Sequence, residues 1–217
     1  MHDQKRNLKR PGGLGDSAHF LMSLMSTPHL TGAVAPSGRA LARAMAAAAG
    51  PPAHGLVVEL GPGTGPVTRA LIDRGLDRRR LVMVEYNPQF CRMLSDRYAG
   101  TRVVEGDAYD LPRTLSGLAG ERVSAFVSSL PLLTRPPSDR ERLLGDSFQL
   151  MGADGVFVQF TYGPVSPIPR EICEGRYTAE RGRSIWANLP PARVWTYRLE
   201  AATRPGAAPR RRLEDRA

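Results

Sequence analysis

An α/β fold, a mostly parallel seven-stranded sheet with helices on both faces, is what this 217-residue sequence predicts. Three observations carry the prediction. Short apolar runs alternate with helix-length segments between residues 56 and 161, the pattern of repeated βαβ units. The stretch Val57-Val58-Glu59-Leu60-Gly61-Pro62-Gly63-Thr64-Gly65 takes a strand into a loop with three glycines, and a helix-like segment follows. Glycines there permit positive φ and close approach of backbone to a ligand at a helix head. An acid, Glu85, then closes the next apolar run, Leu81-Val82-Met83-Val84, where nucleoside-binding sheets place a ribose-binding carboxylate.

Taken in order, the elements begin with a basic arm, Lys5-Arg6-Asn7-Leu8-Lys9-Arg10, broken by Pro11-Gly12-Gly13. If helical, the arm places Lys5, Arg6, Lys9 and Arg10 on one face. Asp16 or Ser17 can cap a helix from Ala18 to Ser26 that ends before Pro28. Phe20, Leu21, Leu24 and Met25 share its apolar face, with His19, Ser23 and Ser26 opposite. An amphipathic helix behind a basic arm suits an interfacial membrane anchor; it also suits a helix packed on the domain body. Ser37 can cap a further helix to Ala49, stopped by Gly50-Pro51-Pro52. Strands are expected at 56–60, 81–85, 102–106, 123–129 and 155–161, and helices at 66–74, 88–97 and near 138–150. Residues 163–182, with Pro164, Pro167 and Pro169, read as an irregular loop of functional length. Residues 183–188 and 193–200 read as a closing, hairpin-like strand pair around Leu189-Pro190-Pro191. The division expected is 1–30 for arm and amphipathic helix, 31–200 for the sheet domain and 201–217 for a basic tail.

Composition bounds the function. The length suits one domain with a sizeable core, and 41% hydrophobic residues is well clear of disorder. No apolar run approaches 18 residues, so no membrane span is expected, and no secretory leader is read at the N-terminus. Two cysteines, Cys91 and Cys173, make no disulfide framework and favour a reduced, cytoplasmic setting. No His/Cys cluster suggests a metal. The net charge of +9 is concentrated at the ends. Residues 1–15 hold four basic residues against one acid, and residues 201–217 hold Arg204, Arg210, Arg211, Arg212 and Arg216 against Glu214 and Asp215. Such arms suit an anionic surface, lipid or nucleic acid, and equally suit solvated tails.

The identity of the ligand follows from charge. A dinucleotide needs its pyrophosphate at the helix head, where amides and dipole favour an anion. Glu59 stands two residues before the first glycine, and Pro62 removes an amide donor. A carboxylate there repels a pyrophosphate but suits the ammonium and sulfonium of S-adenosyl-L-methionine. Two further strand ends fit a ligand at the carboxyl edge of the sheet: Glu105-Gly106-Asp107-Ala108, and Val127-Ser128-Ser129-Leu130-Pro131-Leu132-Leu133.

The ordered segments Leu30-Thr31-Gly32-Ala33-Val34-Ala35-Pro36-Ser37, the glycine motif, Val84-Glu85-Tyr86-Asn87-Pro88, Glu105-Gly106-Asp107-Ala108, Ser128-Ser129-Leu130-Pro131-Leu132 and Gln159-Phe160-Thr161-Tyr162-Gly163-Pro164 resemble the bacterial phospholipid N-methyltransferases. The resemblance implies a Rossmann-like class I methyltransferase fold related to the ribosomal RNA adenine dimethylases. It also implies methyl transfer from S-adenosyl-L-methionine, with S-adenosyl-L-homocysteine as product, onto phosphatidylethanolamine towards phosphatidylcholine, at the inner face of the cell membrane. The cofactor set it implies is Glu59, Gly61, Gly63, Thr64, Gly65, Glu85, Tyr86, Asn87, Gly106, Asp107, Ala108, Ser128, Ser129 and Leu130. An acid placed as Asp107 is would accept a hydrogen bond from the adenine amino group. The acceptor loop separates lipid from RNA. Base methylases resemble one another in a loop with an amide or acid first and an aromatic last, whereas Ser129-Leu130-Pro131-Leu132 has neither. A base would lose stacking worth roughly 1–3 kcal/mol, so a lipid is favoured and nucleic acid disfavoured. For the headgroup, Tyr162 leads as a catalytic candidate, with His19 if the first helix lids the site. Tyr177, Trp186 and Trp195 are weaker, and Arg170, Arg176 and Arg193 are candidates to neutralise a lipid phosphate.

Overall fold

The computed structural model describes residues 36–50, 54–188 and 190–200. Seven strands form one sheet: β1 Leu56–Leu60, β2 Leu81–Glu85, β3 Arg102–Glu105, β4 Val123–Ser128, β5 Val156–Thr161, β6 Tyr177–Ile185 and β7 Ala192–Leu199. Their order is β3-β2-β1-β4-β5-β7-β6. The first five are parallel, and β7 runs antiparallel between β5 and β6. Helices α1 Pro36–Ala48, α2 Pro66–Asp73, α3 Pro88–Arg97, α4 Leu111–Thr114, α5 Pro137–Met151 and α6 Arg170–Cys173 fill the connections.

Both faces of the sheet are covered, so its central strands read as mainly apolar runs, with Glu59 in β1 and Ser124 in β4 as interruptions. All five residues of β1 and of β2 are buried. Val58, Leu60, Val82, Val84, Phe126 and Phe157 pack with α5 residues Leu143, Leu144 and Phe148 on one face. Val57, Met83, Val127 and Val158 pack on the other face with Met45 of α1 and Leu71 of α2.

Most expected boundaries move by a residue or so, and two places differ by more than that in kind or extent. Helix α1 begins at Pro36, so Ser37 falls in its first turn instead of capping it. The segment expected to be irregular contains α6 and residues 177–182 of β6, which starts six residues before the expected 183. β6 is an edge strand, and Thr178 to Arg183 are all exposed, so no apolar alternation marks it. The register slips between Arg181 and Ser184, a bulge of the kind edge strands use to discourage further pairing. The closing pair itself is antiparallel. The basic arm with Lys5, Arg6, Lys9 and Arg10, the helix with His19, Phe20, Leu21, Leu24 and Met25, and the tail 201–217 lie outside the described residues.

The register fixes which loops share an edge. Thr161, at the carboxyl end of β5, pairs with Arg193, which pairs with Ser184. The connection from β6 to β7 therefore leaves and re-enters the sheet on the same edge as the glycine loop after β1 and the loops after β2, β3, β4 and β5.

Candidate functional site

Gly61, Gly63 and Gly65 have φ of +66°, +55° and +84°, a region that costs L-residues roughly 1–2 kcal/mol. The loop turns the chain from β1 into α2, with Gly65 at the N-cap and Pro66 in the first turn. Its amides are committed within the protein. The Gly61 N–H donates to Val84 O at 2.9 Å and the Gly65 N–H to Pro62 O at 2.9 Å, while the Gly63 N–H donates to Glu85 Oε2 at 3.1 Å. Pro62 has no N–H. Four of the loop's five positions thus offer no donor to an anion, and the array that cradles a pyrophosphate is missing.

Carboxylates stand in its place. Glu85, 8% exposed, accepts from the Asn87 N–H at 2.9 Å through Oε1 and from Gly63 through Oε2. Each oxygen keeps a lone pair for a further donor. Asn87 caps α3 by accepting from the Gln89 N–H at 2.8 Å. Tyr86 between them is 78% exposed. Glu59 is fully buried. Its Oε2 accepts from the Thr68 hydroxyl at 2.6 Å, and its Oε1 is buried with no partner. Burial pushes its pKa up to about 7 against the pull of the Thr68 bonds, with Glu85 adding repulsion.

At the end of β3, the Gly106 N–H donates to Glu85 O at 3.0 Å, and a Cβ on Gly106 would meet Thr114 Cγ2 at 2.6 Å. Exposed Asp107 accepts from the Tyr109 N–H at 2.8 Å, and Ala108 is buried. After β4, Ser128 is buried and the Ser129 N–H donates to Leu60 O at 2.9 Å. Leu130 lies against the glycine loop, its Cδ2 3.0 Å from where a Gly61 Cβ would stand. Its carbonyl accepts from Gln159 Nε2 at 3.0 Å. The expected acceptor loop is therefore braced on the glycine loop on one side and on β5 on the other.

Two residues of this site carry no signal in the sequence. The Tyr98 hydroxyl, at the end of α3, donates to Gly65 O at 2.8 Å, and a Cβ on Gly65 would meet the Tyr98 ring at 2.7 Å. Arg97 Nη1 donates to Thr64 O at 2.9 Å. The end of α3 thus clamps the glycine loop from a distance of more than 30 residues in sequence. Thr68 was visible only as a polar residue on an apolar helix face.

The headgroup candidates separate. Tyr162, just past β5, packs edge-on against Phe160 at 5.3 Å between ring centroids. Its hydroxyl meets Asn188, and burial raises its pKa against the pull of that hydrogen bond. Arg193 is half-buried and pairs with Thr161 at the site's edge. Arg170 is exposed at the start of α6. Arg176 sits at the opposite edge, where its carbonyl accepts from the Glu200 N–H and its guanidinium pairs with Glu141 at 2.7 Å; the fold carries it away from the glycine loop. Tyr177 and Trp195 are core residues, and Trp186 is 78% exposed. Among the described residues no group of three His, Cys, Asp or Glu suits a metal ion, and no helix is long and apolar enough to cross a membrane.

No protein-family model matches the chain. An ornithine lipid N-methyltransferase from Singulisphaera acidiphila is 37% identical over 50% of this chain and 58% of that protein. A ribosomal RNA small subunit methyltransferase A from Chlorobium phaeobacteroides is 26% identical over 62% of this chain and 52% of its own length. A mouse N-acylethanolamine-hydrolyzing acid amidase is 34% identical over 46% of this chain but only 25% of itself. The chain thus spans little more than half the length of the curated relatives it matches, or less. Among solved structures, the glycopeptide N-methyltransferase MtfA in complex with S-adenosyl-L-homocysteine superposes with a TM-score of 0.58 at 16% identity, over 84% of this chain and 98% of that one. With the strand order β3-β2-β1-β4-β5-β7-β6, that likeness makes this the fold of the class I S-adenosylmethionine-dependent methyltransferases.

Proposed function

We propose that the protein transfers methyl groups from S-adenosyl-L-methionine to the primary amine of a membrane lipid. The observation that carries the donor half is a glycine loop flanked by Glu59 and Glu85 whose own amides are already committed. Such a site suits a ligand bearing positive charge and ribose hydroxyls, not a pyrophosphate. The residues fit that ligand. A Cβ on Gly63 would project into open space, which leaves room above the loop. Glu85 would take the ribose hydroxyls, Asp107 and the Ala108 backbone the adenine edge, Tyr86 the adenine face, and the loop itself the amino-acid end. Bound there, S-adenosyl-L-methionine supplies a methyl carbon attached to positively charged sulfur.

The chain's own contribution is placement and dehydration. A lipid amine attacks only when neutral, and at pH 7 removing its proton costs roughly 4–5 kcal/mol from a reference pKa near ~10.4. Leu130 and Pro131, both partly exposed, would give the amine an aliphatic wall, and desolvation lowers an amine's pKa. Because Leu130 touches Gly61, a group resting on this wall lies beside the loop that holds the donor, as in-line displacement demands. The Leu130 carbonyl, fixed by Gln159, offers an acceptor for the amine hydrogens. Tyr162 and Arg193 stand at the end of β5 for the ammonium and phosphate of a headgroup. Support for a lipid acceptor also comes from the likeness to the ornithine lipid N-methyltransferase, which extends over 50% of this chain. Phosphatidylethanolamine, expected from the sequence, presents the same primary amine.

The test is methyl transfer from labelled S-adenosyl-L-methionine to vesicles of phosphatidylethanolamine, to dispersed ornithine lipid and to total RNA. Label in lipid is expected. Label in RNA with none in either lipid would favour the activity named for the ribosomal RNA relatives and overturn the proposal.

A further inference from the structure

The large apolar side chains that are well exposed among the described residues are Tyr86, Leu133, Val165 and Trp186, at 78%, 53%, 72% and 78%. All lie on the carboxyl edge of the sheet. Tyr86 follows β2, in the cofactor half. The other three occupy the loop after β4, the loop after β5 and the turn between β6 and β7, over the acceptor half. Exposing such groups to water is unfavourable, about 25 cal/mol for each Å² of apolar surface left wet.

The charge on these segments is as uneven as the exposure. Residues 129–136, 162–169 and 186–191 contain no acid, and Arg135 is their one charged residue, although 24% of the chain is charged. Arg170 follows the second loop directly and Arg193 follows the turn. The cofactor half of the same edge carries Glu85, Glu105, Asp107 and Asp110. Seven prolines, at 131, 136, 164, 167, 169, 190 and 191, stiffen the three segments. Two of the segments are joined: Arg140 Nε donates to Arg135 O at 2.9 Å and its Nη1 to Pro167 O at 2.8 Å. Leu133 and Val165 thus project from one braced platform.

We infer that this rim is a membrane-docking surface, with Leu133, Val165 and Trp186 entering the interface of an anionic bilayer while Arg135, Arg170 and Arg193 meet its phosphates. An exposed tryptophan beside arginines and an acid-free apolar rim match the composition favoured at the headgroup boundary. Docking by this edge would deliver a lipid amine to the wall beside Gly61 without extracting the lipid. The inference rests on the lipid-acceptor reading above.

The chain has two tryptophans, and Trp195 is 8% exposed, so Trp186 dominates any solvent-sensitive emission. The full chain would be mixed with vesicles of phosphatidylcholine and phosphatidylglycerol. A blue shift on binding is expected, absent in Trp186→Phe. A variant carrying Leu133→Ser, Val165→Ser and Trp186→Ser should cosediment about tenfold less or weaker still, while binding S-adenosyl-L-methionine like the parent. Cosedimentation of that variant at the parent's level, binding without any shift of Trp186, or no binding by the parent would each overturn the inference. Transfer to detergent-dispersed lipid separates the two proposals. If the parent docks on vesicles yet methylates lipid in neither form, the acceptor assignment fails and the docking surface stands.

Discussion

Glu59 is a fully buried carboxylate with one oxygen bonded to Thr68 and the other orphaned, and its pKa of about 7 records the strain of keeping it charged there. In the unfolded chain the same group titrates near ~4.3. The folded state therefore holds the proton more tightly, and this group's contribution to stability is full below the unfolded value and is lost as pH rises towards 7. The expected size is on the order of 3 kcal/mol. Thermal unfolding followed between pH 5 and pH 8 should show a falling midpoint that flattens in Glu59→Gln; identical slopes would refute the assignment. A cationic ligand beside Glu59 favours its ionised form, so calorimetry near pH 6.5 in buffers of different ionisation enthalpy should register proton release on S-adenosyl-L-methionine binding, and less in Glu59→Gln. Glu85 acts by hydrogen bonding. Glu85→Ala removes charge-assisted bonds worth about 1.5–3 kcal/mol, roughly ten- to a hundredfold in affinity, and unbraces the Gly63 and Asn87 amides. Asp107→Ala, at an exposed position, should cost less by the same measurement.

The loop between β1 and α2 separates two roles that its glycines share in sequence. Gly63 and Gly65 both have positive φ, so an alanine at either costs about 1–2 kcal/mol of backbone strain. At Gly65 the new Cβ would also strike the Tyr98 ring, whereas at Gly63 it meets nothing within 4 Å. Gly65→Ala should therefore lower stability well beyond Gly63→Ala in denaturant titrations, while Gly63→Ala should lower cofactor affinity out of proportion to its small stability loss. Tyr98→Phe should keep the fold and lose about 0.5–1.5 kcal/mol with the Gly65 bond; a variant as stable as the parent would show that the clamp is not needed. These elements also show where sequence reading succeeds and stops. Strands β1, β2 and β4 announce themselves because burial on both faces demands mainly apolar runs. Gly61, Gly63, Gly65 and Glu85 announce themselves because positive φ and a strand-end carboxylate restrict residue choice. β6 is hidden, since an edge strand with six exposed residues in succession needs no apolar face. Tyr98 and Arg97 are hidden for another reason: their role is a tertiary contact across more than 30 residues, and no local pattern encodes it. Arg176 shows the converse, a suitable residue type in a suitable segment that the fold carries to the wrong edge.

At the scale of the whole molecule, the two proposed means of meeting a membrane, basic arms and apolar rim, should differ in how they respond to salt. The net charge of +9 is two-thirds terminal, with residues 1–15 and 201–217 each contributing +3. Arms of this kind attract an anionic surface by about 1 kcal/mol per Lys or Arg, an attraction screened over ~10 Å at 0.1 M salt. The rim with Leu133, Val165 and Trp186, as proposed, would act by burying apolar surface, which added salt does not weaken. Deleting residues 1–15, and with them Lys5, Arg6, Lys9 and Arg10, should therefore reduce cosedimentation with anionic vesicles strongly at 0.05 M salt and little at 0.5 M, by the screening just given. Serines at the three rim positions should reduce it at both. If the deletion is without effect at low salt, the arm is a solvated tail and docking falls to the rim alone. If the serine variant binds like the parent at both salt concentrations, the exposed rim side chains stay in water. Methyl transfer to vesicles should fall with the rim variant, because the loop that carries Leu133 also carries Leu130 and Pro131, where a lipid amine would meet the proposed methyl donor.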